Sequence, residues 1–268
     1  MKFVFERKNW ILLRELVKTD FKLRYQGSVL GYLWAVLRPL LMFAVLYVVF
    51  VKFLRFGGDI PHYAVYLLTG VVLWSFFTES TAQGMQSIVA RGDLLRKINF
   101  PKIIVVLSAT ATALINAVIN LAVVMAFAVF DGVDFRLTAI LLPLIVLELY
   151  FLSLGISLLL GAINVKYRDI SSIWDVLMQA MFYAVPIIYP ITMVMDFSVV
   201  AAKIILLNPI AQVIQDARFA LVTEESVTVW SFLGQWYAMI IPLVIVVVVF
   251  VLGMLVFNKR SRKFAEVY

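Results

Sequence analysis

The sequence contains no cysteine and a single histidine, His62, among its 268 residues. The absence of cysteine excludes a disulfide framework and a thiolate metal site, because both are built from cysteine side chains. Charged residues are also scarce, at 15% of the chain, whereas hydrophobic residues make up 64%. A soluble domain usually has about a quarter charged residues and fewer than half apolar ones. The composition predicts an integral membrane protein.

Motifs of catalytic and nucleotide-binding sites are missing as well. There is no HExxH, no GxSxG and no phosphate-binding loop of the GxxxxGK[ST] type. A metal or acid–base role for the lone His62 is not favoured, because it lies beside an aromatic run at a predicted outer interface. We predict no catalytic residue, and no metal or cofactor bound by this chain.

Six apolar segments are predicted to cross the membrane, since a helix needs about 20 residues to span roughly 30 Å of hydrocarbon. The predicted fold is therefore all-α and polytopic. Its spans are residues 30–51, 63–82, 101–130, 137–163, 170–189 and 232–257. Prolines interrupt the chain after the fifth span. Residues 190–228 are therefore predicted to form short gate or re-entrant helices, which are tolerated at membrane depth only when packed against protein.

Residues 5–24 are predicted to form an amphipathic helix in the membrane interface, with a solvated helix as the alternative. Its apolar side carries Trp10, Leu13, Leu16, Val17 and Phe21, and its basic side Arg7, Lys8, Arg14, Lys18 and Lys22. Asp20 and Arg24 fall on the apolar side, so the stripe is imperfect. Residues 87–100 are predicted to be a charged loop that contains a short helix.

Lysine and arginine are distributed unevenly along the chain. Most of the 23 lie in the N-terminal segment, in the loops around residues 87–102 and 164–172, or after residue 257. The opposite face holds Lys52, Arg55, Arg136, Lys203 and Arg218. Because positively charged loops remain in the cytoplasm, both termini are predicted to be cytoplasmic. The net charge of +7 is thus a topology signal and does not require nucleic-acid binding.

Two carboxylates, Glu79 and Glu148, fall inside predicted spans. Charged groups within a membrane are costly and by default suggest a function. The alternative is that each carboxylate pairs with a polar side chain of a neighbouring helix or lies nearer to an interface.

Three stretches of the sequence resemble ABC-2-type polysaccharide export permeases. The first is LVKTDFKLRYQGSVLGYLW, residues 16–34, followed by Arg38-Pro39-Leu40. The second is GDLLRKINFPK, residues 92–102, and the third is NVKYRDI, residues 164–170. Asn208-Pro209 is a weaker match. The resemblance covers essentially the whole chain, as a single domain of residues 1–268, and its first two motifs together are quite specific.

The resemblance implies a homodimer in the cytoplasmic membrane of a bacterium, bound to two copies of a separate ATPase that holds ATP and magnesium. The cargo would be a polyprenyl-linked glycan such as O-antigen, capsule, teichoic acid or rhamnose-rich polysaccharide. The N-terminal helix and the loops at 87–100 and 164–172 would contact the ATPase, and residues 190–228 would form the outward gate. The predicted coupling residues are Arg14, Lys18, Arg91, Asp93, Leu94, Leu95, Arg96, Asn99, Phe100, Tyr167, Arg168 and Asp169.

Substrate contacts are predicted from position and chemistry. Cations at the cytoplasmic rim would meet the pyrophosphate headgroup, and aromatic faces would let a sugar chain slide. The headgroup candidates are Lys22, Arg24 and Arg38. The candidates for the glycan path are Tyr63, Tyr66, Trp74, Phe77, Glu79, Glu148, Tyr183 and Tyr189. Aromatic residues are also common in spans and interfacial belts without any such role.

Three other functions stay open at this point. A drug- or lipid-exporting permease of the same superfamily is the nearest alternative. A secondary transporter usually has inverted repeats and matching broken helices in both halves, whereas here only one end of the chain is interrupted. A membrane-embedded glycan transferase needs clustered acids or bases at one interface, and Glu79 and Glu148 are isolated in sequence.

Overall fold

The structure is a computed structural model that describes residues 6–55, 60–98, 100–234, 236–261 and 264. Over these residues the regular structure is entirely helical. The helices are α1 (Arg7–Tyr25), α2 (Trp34–Leu46), α3 (Tyr63–Ala90), α4 (Gly92–Lys97), α5 (Ile103–Phe130), α6 (Leu142–Asn164), α7 (Ile170–Ala184), α8 (Ile191–Phe197), α9 (Val199–Leu206), α10 (Pro209–Leu221), α11 (Val229–Leu233) and α12 (Ile240–Ser261). Short 3₁₀ turns precede α2, α6 and α12, and π-helical Tyr47–Phe53 continues α2.

Five continuous helical stretches in the described chain are long and apolar enough to cross a membrane. They are Gly31–Phe53, Tyr63–Ala90, Ile103–Phe130, Leu137–Asn164 and Ile240–Ser261. Helices α9 and α10 meet at 90° and would make a sixth span if counted as one broken crossing. The predicted all-α, multi-pass membrane fold is confirmed.

The predicted fifth span, residues 170–189, is shorter in the structure. Helix α7 has 15 residues, which corresponds to about 22 Å and falls short of the hydrocarbon thickness. It ends because Val185 adopts an extended conformation, with ψ 139°. Val185 precedes Pro186, and the residue before a proline is disfavoured in the helical region.

Helix α3 lies at the centre of the bundle, in contact with α2, α5, α6, α7 and α10. It is the least apolar of the five spans, yet 78% of its apolar window is buried, against 22% for α12. A helix surrounded by protein can carry polar side chains, because neighbouring helices supply their partners, whereas a helix facing lipid cannot.

The two ends of the bundle differ in composition. The basic end consists of α1, α4, residues 165–169 and the last turn of α12. These elements share a core around Ile104, Leu158 and Phe257. The proline end consists of the start of α3, residues 131–136, the last turn of α7 and residues 185–233. Here the Tyr63 hydroxyl donates a hydrogen bond to the Ile188 carbonyl at 2.7 Å.

Helices α6 and α12 cross at a pair of glycines. A Cβ atom added at Gly155 would lie 2.6 Å from the Phe250 Cα, and one added at Gly253 would overlap the Gly155 carbonyl oxygen. Real Cβ atoms essentially never come so close to backbone atoms. The close approach of the two backbones is therefore possible only without side chains, as at other small-residue contacts between membrane helices.

We predict that Gly253→Ala destabilises the protein by about 1–3 kcal/mol, since overpacking forces the two helices apart. Gly161→Ala is the matched control in α6, because the nearest atom to its added Cβ would be 3.4 Å away, an ordinary contact. Thermal unfolding in detergent should show a lower midpoint for Gly253→Ala alone. Equal midpoints for the two variants would contradict this crossing.

Candidate functional site

A large cleft opens between α2, α3, α5 and α7. Its volume is about 1340 Å³, larger than the roughly 300–1,000 Å³ of ordinary small-molecule pockets. The charged side chains on its wall are Arg24, Arg38, Glu79 and Asp175. We call this space the polar cleft. It contains two of the three predicted headgroup cations and one of the two predicted intramembrane carboxylates, whereas Lys22 does not line it.

Glu79 of α3 is the best-connected carboxylate in the polar cleft. Its Oε1 atom accepts hydrogen bonds from Asn116 of α5 at 2.8 Å and from Gln83 at 3.2 Å. The same oxygen forms an ion pair with Arg24 of α1. Both side chains of this ion pair are 25% exposed. The predicted alternative, that Glu79 is paired with polar groups of a neighbouring helix, is thus realised, and its strongest partner is a cation.

A second ion pair lies one turn earlier on α1 and joins it to the residue that follows α3. Asp20 pairs with Arg91, which follows α3. The Arg91 guanidinium also donates a hydrogen bond to the Ser108 hydroxyl of α5 at 3.0 Å. Asp20 and Arg24 are the two residues that interrupt the apolar stripe of α1. Their position is explained because both face inward and hold α1 to the membrane-spanning bundle.

Other side chains of the polar cleft were missed by the sequence reasoning. Asn120 donates a hydrogen bond to the Ala35 carbonyl at 3.1 Å and thereby joins α5 to α2. Trp174 donates one to the Thr81 hydroxyl at 3.1 Å and joins α7 to α3. A usable signal existed for α5, since Asn116 and Asn120 are four residues apart and share one face of a helix. Trp34, Asp175 and Gln179 also line the cleft.

Most of the predicted aromatic candidates for the glycan path are buried in the helix bundle. Trp74 and Phe77 are 7% and 1% exposed and pack in an aromatic cluster with Trp174 and Phe182. They are not on the wall of the polar cleft; on α3 the neighbouring Ser75, Phe76 and Glu79 are. A role for Trp74 and Phe77 in the path stays a prediction.

The tyrosine candidates lie at the proline end. Tyr63 is buried, and the Tyr66 ring lies under the guanidinium of Arg218, 3.6 Å from the ring centroid. Tyr183 is 66% exposed, and the Tyr189 hydroxyl donates a hydrogen bond to its carbonyl at 3.0 Å. None of these tyrosines lines the polar cleft, and their path role also stays a prediction.

Arg218 is a fully buried cation that joins three parts of the proline end. It donates hydrogen bonds to the carbonyls of Tyr66, Pro186 and Ile187 at 3.0, 2.6 and 2.6 Å. It also donates to the Gln215 side chain at 2.8 Å. These acceptors satisfy the guanidinium without a carboxylate, and they fix the bend after α7 against α3 and α10.

Glu148 lies on α6, away from the polar cleft. Its Oε1 atom is buried without a hydrogen-bond partner among the described residues. On the neighbouring α10, Gln212 donates a hydrogen bond to Asp216 at 2.6 Å. The structure therefore separates Glu148 from Glu79, and the two carboxylates do not form one site.

The predicted coupling residues gather at the basic end, but they are unequally accessible. The exposed members are Arg14, Lys18, Asp93, Arg96, Tyr167, Arg168 and Asp169. Leu95 is buried, Leu94 and Phe100 are partly buried, and Arg91 is held by Asp20. A hydrogen bond with Lys166 and the positive charges of Lys166 and Arg260 lower the pKa of Tyr167. Asn99 lies outside the described residues.

A multi-pass helical bundle with a polar cleft at its central helix is typical of membrane transport proteins. Residues 11–222 match the sequence model of the ABC-2 type transporter family. The chain belongs to this family and is a transporter component.

The chain is also similar to proteins named O-antigen export system permease protein RfbA. Two such relatives from Klebsiella pneumoniae are each 29% identical, over 262 and 258 residues, covering 96% of this chain and 94% of the relative. One from Myxococcus xanthus is 33% identical over 198 residues, covering 74% of this chain and 75% of its own length.

We predict that the ion pair of Arg24 with Glu79 is energetically coupled, because it is largely shielded from solvent. A double-mutant cycle of Arg24→Ala and Glu79→Ala, measured by unfolding in detergent, should give a coupling energy of about 1 kcal/mol or more. The exposed pair of Lys18 and Glu15 serves as control and should give less than about 0.5 kcal/mol. Additive effects at both pairs would contradict a shielded interaction between α1 and α3.

Proposed function

We propose that this chain is the permease subunit of an ABC transporter that exports a lipid-linked cell-surface polysaccharide. The observation that carries this proposal is the similarity to O-antigen export permeases along nearly the whole chain. The match includes the segments that form the basic end and the polar cleft. The similarity therefore extends to both proposed functional regions as well as to the membrane spans. The relatives are named for O-antigen export, which favours a glycan over a drug or a lipid as cargo.

The basic end faces the cytoplasm in this proposal. The supporting observation is that α1, α4, residues 165–169 and the end of α12 come together at one end of the bundle with most of the lysines and arginines. Positively charged segments next to membrane spans remain cytoplasmic. The chain is placed in the bacterial cytoplasmic membrane with both termini inside, and α1 lies along the membrane interface.

ATP binding and hydrolysis occur on a separate ATPase subunit, which docks on the exposed residues of α4 and on residues 167–169. The support is that Asp93 and Arg96 of α4 are exposed while Leu95 anchors this helix in the core of the basic end. Because it is anchored in this way, α4 can pass a movement of the ATPase on to the membrane-spanning helices without unfolding. Two permease copies and two ATPase copies form the working assembly.

The polar cleft is the part of the substrate route that this chain contributes. Arg38 is exposed on its wall and meets the pyrophosphate of the lipid carrier. Arg24 is neutralised by Glu79 at rest. When the ATPase moves α1, this pair separates and Arg24 becomes a second phosphate ligand. Trp34 and Trp174 supply aromatic faces on which sugar rings slide.

Co-expression with the neighbouring ATPase tests this proposal. The complex is purified through a tag on the permease, and ATP hydrolysis and surface polysaccharide are measured. We expect Asp93→Ala combined with Arg96→Ala to reduce ATPase recovery and export at least about tenfold, since two exposed charged side chains of α4 are lost.

The matched control is Lys203→Ala, which removes an exposed charge at the proline end. It should leave ATPase recovery unchanged. If no ATPase co-purifies with the unmodified chain in several mild detergents, the chain is not the permease of an ABC exporter. If the control lowers recovery as much as the α4 variant, the docking site is wrong while the exporter assignment stands.

A further inference from the structure

A second pocket lies at the basic end, between the end of α6 and the end of α12. Its volume is about 510 Å³. The floor is apolar and consists of Ala162, Val165, Val256 and Phe264. The rim carries three cations, Lys166, Lys259 and Arg260, together with the Tyr167 hydroxyl. We call it the rim pocket. It shares no lining residue with the polar cleft.

The charge of the rim pocket is uncompensated within the described part of the chain. No carboxylate is among its described lining residues. None of the three cations forms an ion pair there with an acidic side chain. Lys166 lies over the Tyr167 ring, 4.9 Å from its centroid, and this contact provides no negative charge. Three cations around one opening repel each other, so an anion that binds among them is stabilised by all three.

The depth of the rim pocket matches the boundary of the hydrocarbon layer. In α12 the apolar run ends at Phe257 and is followed at once by Asn258, Lys259 and Arg260. Immediately before that boundary, Leu252 and Leu255 are 48% and 60% exposed and face outward. A ligand held by the cations can therefore lay an apolar chain along Val256 and the outer side of α12.

We propose that the rim pocket binds the phosphate headgroup of an anionic phospholipid of the surrounding bilayer, of the phosphatidylglycerol class. Basic pockets at the ends of membrane helices are a known mode of lipid recognition. The cationic rim selects a net negative headgroup, and the apolar floor selects an amphiphile over a soluble anion. Lipid binding at this pocket is independent of the cargo that the permease exports.

Two other occupants fit the pocket less well. The polyprenyl diphosphate of the cargo needs a continuous route into the polar cleft, and the two spaces have no residue in common. An acidic surface of the ATPase would match the cations but leave the floor of Val256 and Phe264 unused. A bilayer phospholipid accounts for both features, since its headgroup and acyl chain lie at this depth.

Bound lipid would connect the end of α12 to residues 165–169. Its phosphate would neutralise the repulsion among Lys166, Lys259 and Arg260. The segment that carries Tyr167, Arg168 and Asp169 would then be held in one position for its partner. Lipid composition would thereby influence a predicted coupling segment without touching the substrate route.

Native mass spectrometry of the delipidated permease tests this site with palmitoyl-oleoyl phosphatidylglycerol and the corresponding phosphatidylcholine. We expect one phosphatidylglycerol to be retained in preference, with a raised thermal midpoint. The variant Lys166→Gln, Lys259→Gln, Arg260→Gln should weaken this binding about 100-fold, because each cation contributes near an anionic headgroup. The control Lys52→Gln, Arg136→Gln, Lys203→Gln removes the same charge outside the rim pocket and should bind normally.

A second variant, Val256→Phe, keeps every charge but fills the floor, and it should also reduce retention. Equal stabilisation by phosphatidylglycerol and phosphatidylcholine would overturn the proposal, as would normal binding to the triple rim variant. Farnesyl diphosphate is added in competition. If it occupies the site while phosphatidylglycerol does not, the pocket belongs to the cargo. If the triple variant keeps the lipid but, in co-expression, no longer recovers the ATPase, the pocket is a protein-docking surface.

Discussion

The need to satisfy polar groups inside the membrane governs this structure. Helix α3 carries Tyr66, Glu79, Thr81 and Gln83 through the middle of the bundle, where an unpaired polar group is costly. Several neighbouring helices therefore supply partners to these side chains. Arg218 of α10 covers Tyr66 at one end, and α1 and α5 provide Arg24 and Asn116 to Glu79 at the other. These contacts hold the helices around α3, since a purely apolar surface gives membrane helices little reason to choose one neighbour over another.

The same requirement holds α1 against the bundle. A helix that only floated in the interface would need no inward charges, but α1 has Asp20 and Arg24 paired with Arg91 and Glu79. Its movement must break or carry along these pairs, and Glu79 and Arg24 both line the polar cleft. In the proposed mechanism, a displacement at the basic end changes the charge on the cleft wall. We regard this as the physical link between the proposed ATPase and the proposed cargo.

Much of the fold follows from the sequence, because long apolar runs have few alternatives to spanning helices. The charged ends were predicted from the distribution of lysine and arginine, and α4 from the apolar residues set among the charges of its loop. The short length of α7 was harder to predict. Pro186 indicates that the helix is interrupted, but it does not indicate at what depth in the membrane the helix ends. The site was predicted only in part. Arg24, Arg38 and Glu79 stood out as charges within or beside spans, whereas Trp174, Asn120 and Asp175 line the polar cleft through tertiary packing that periodicity cannot reveal. Conversely, Trp74 and Phe77 share a helix with Glu79 but point to another side.

Passage of the cargo through the polar cleft can be tested directly. Because the chain has no native cysteine, the variant Ser75→Cys carries one thiol in this chain, and that thiol lies on the cleft wall. The matched control is Val247→Cys on α12, which is 53% exposed on the outside of the bundle and lies away from the cleft. After treatment with a bulky water-soluble thiol reagent, surface polysaccharide is measured in cells that export through each variant. We expect modification at residue 75 to block export and treatment of the control to leave export unchanged. Normal export with residue 75 fully modified would contradict this expectation.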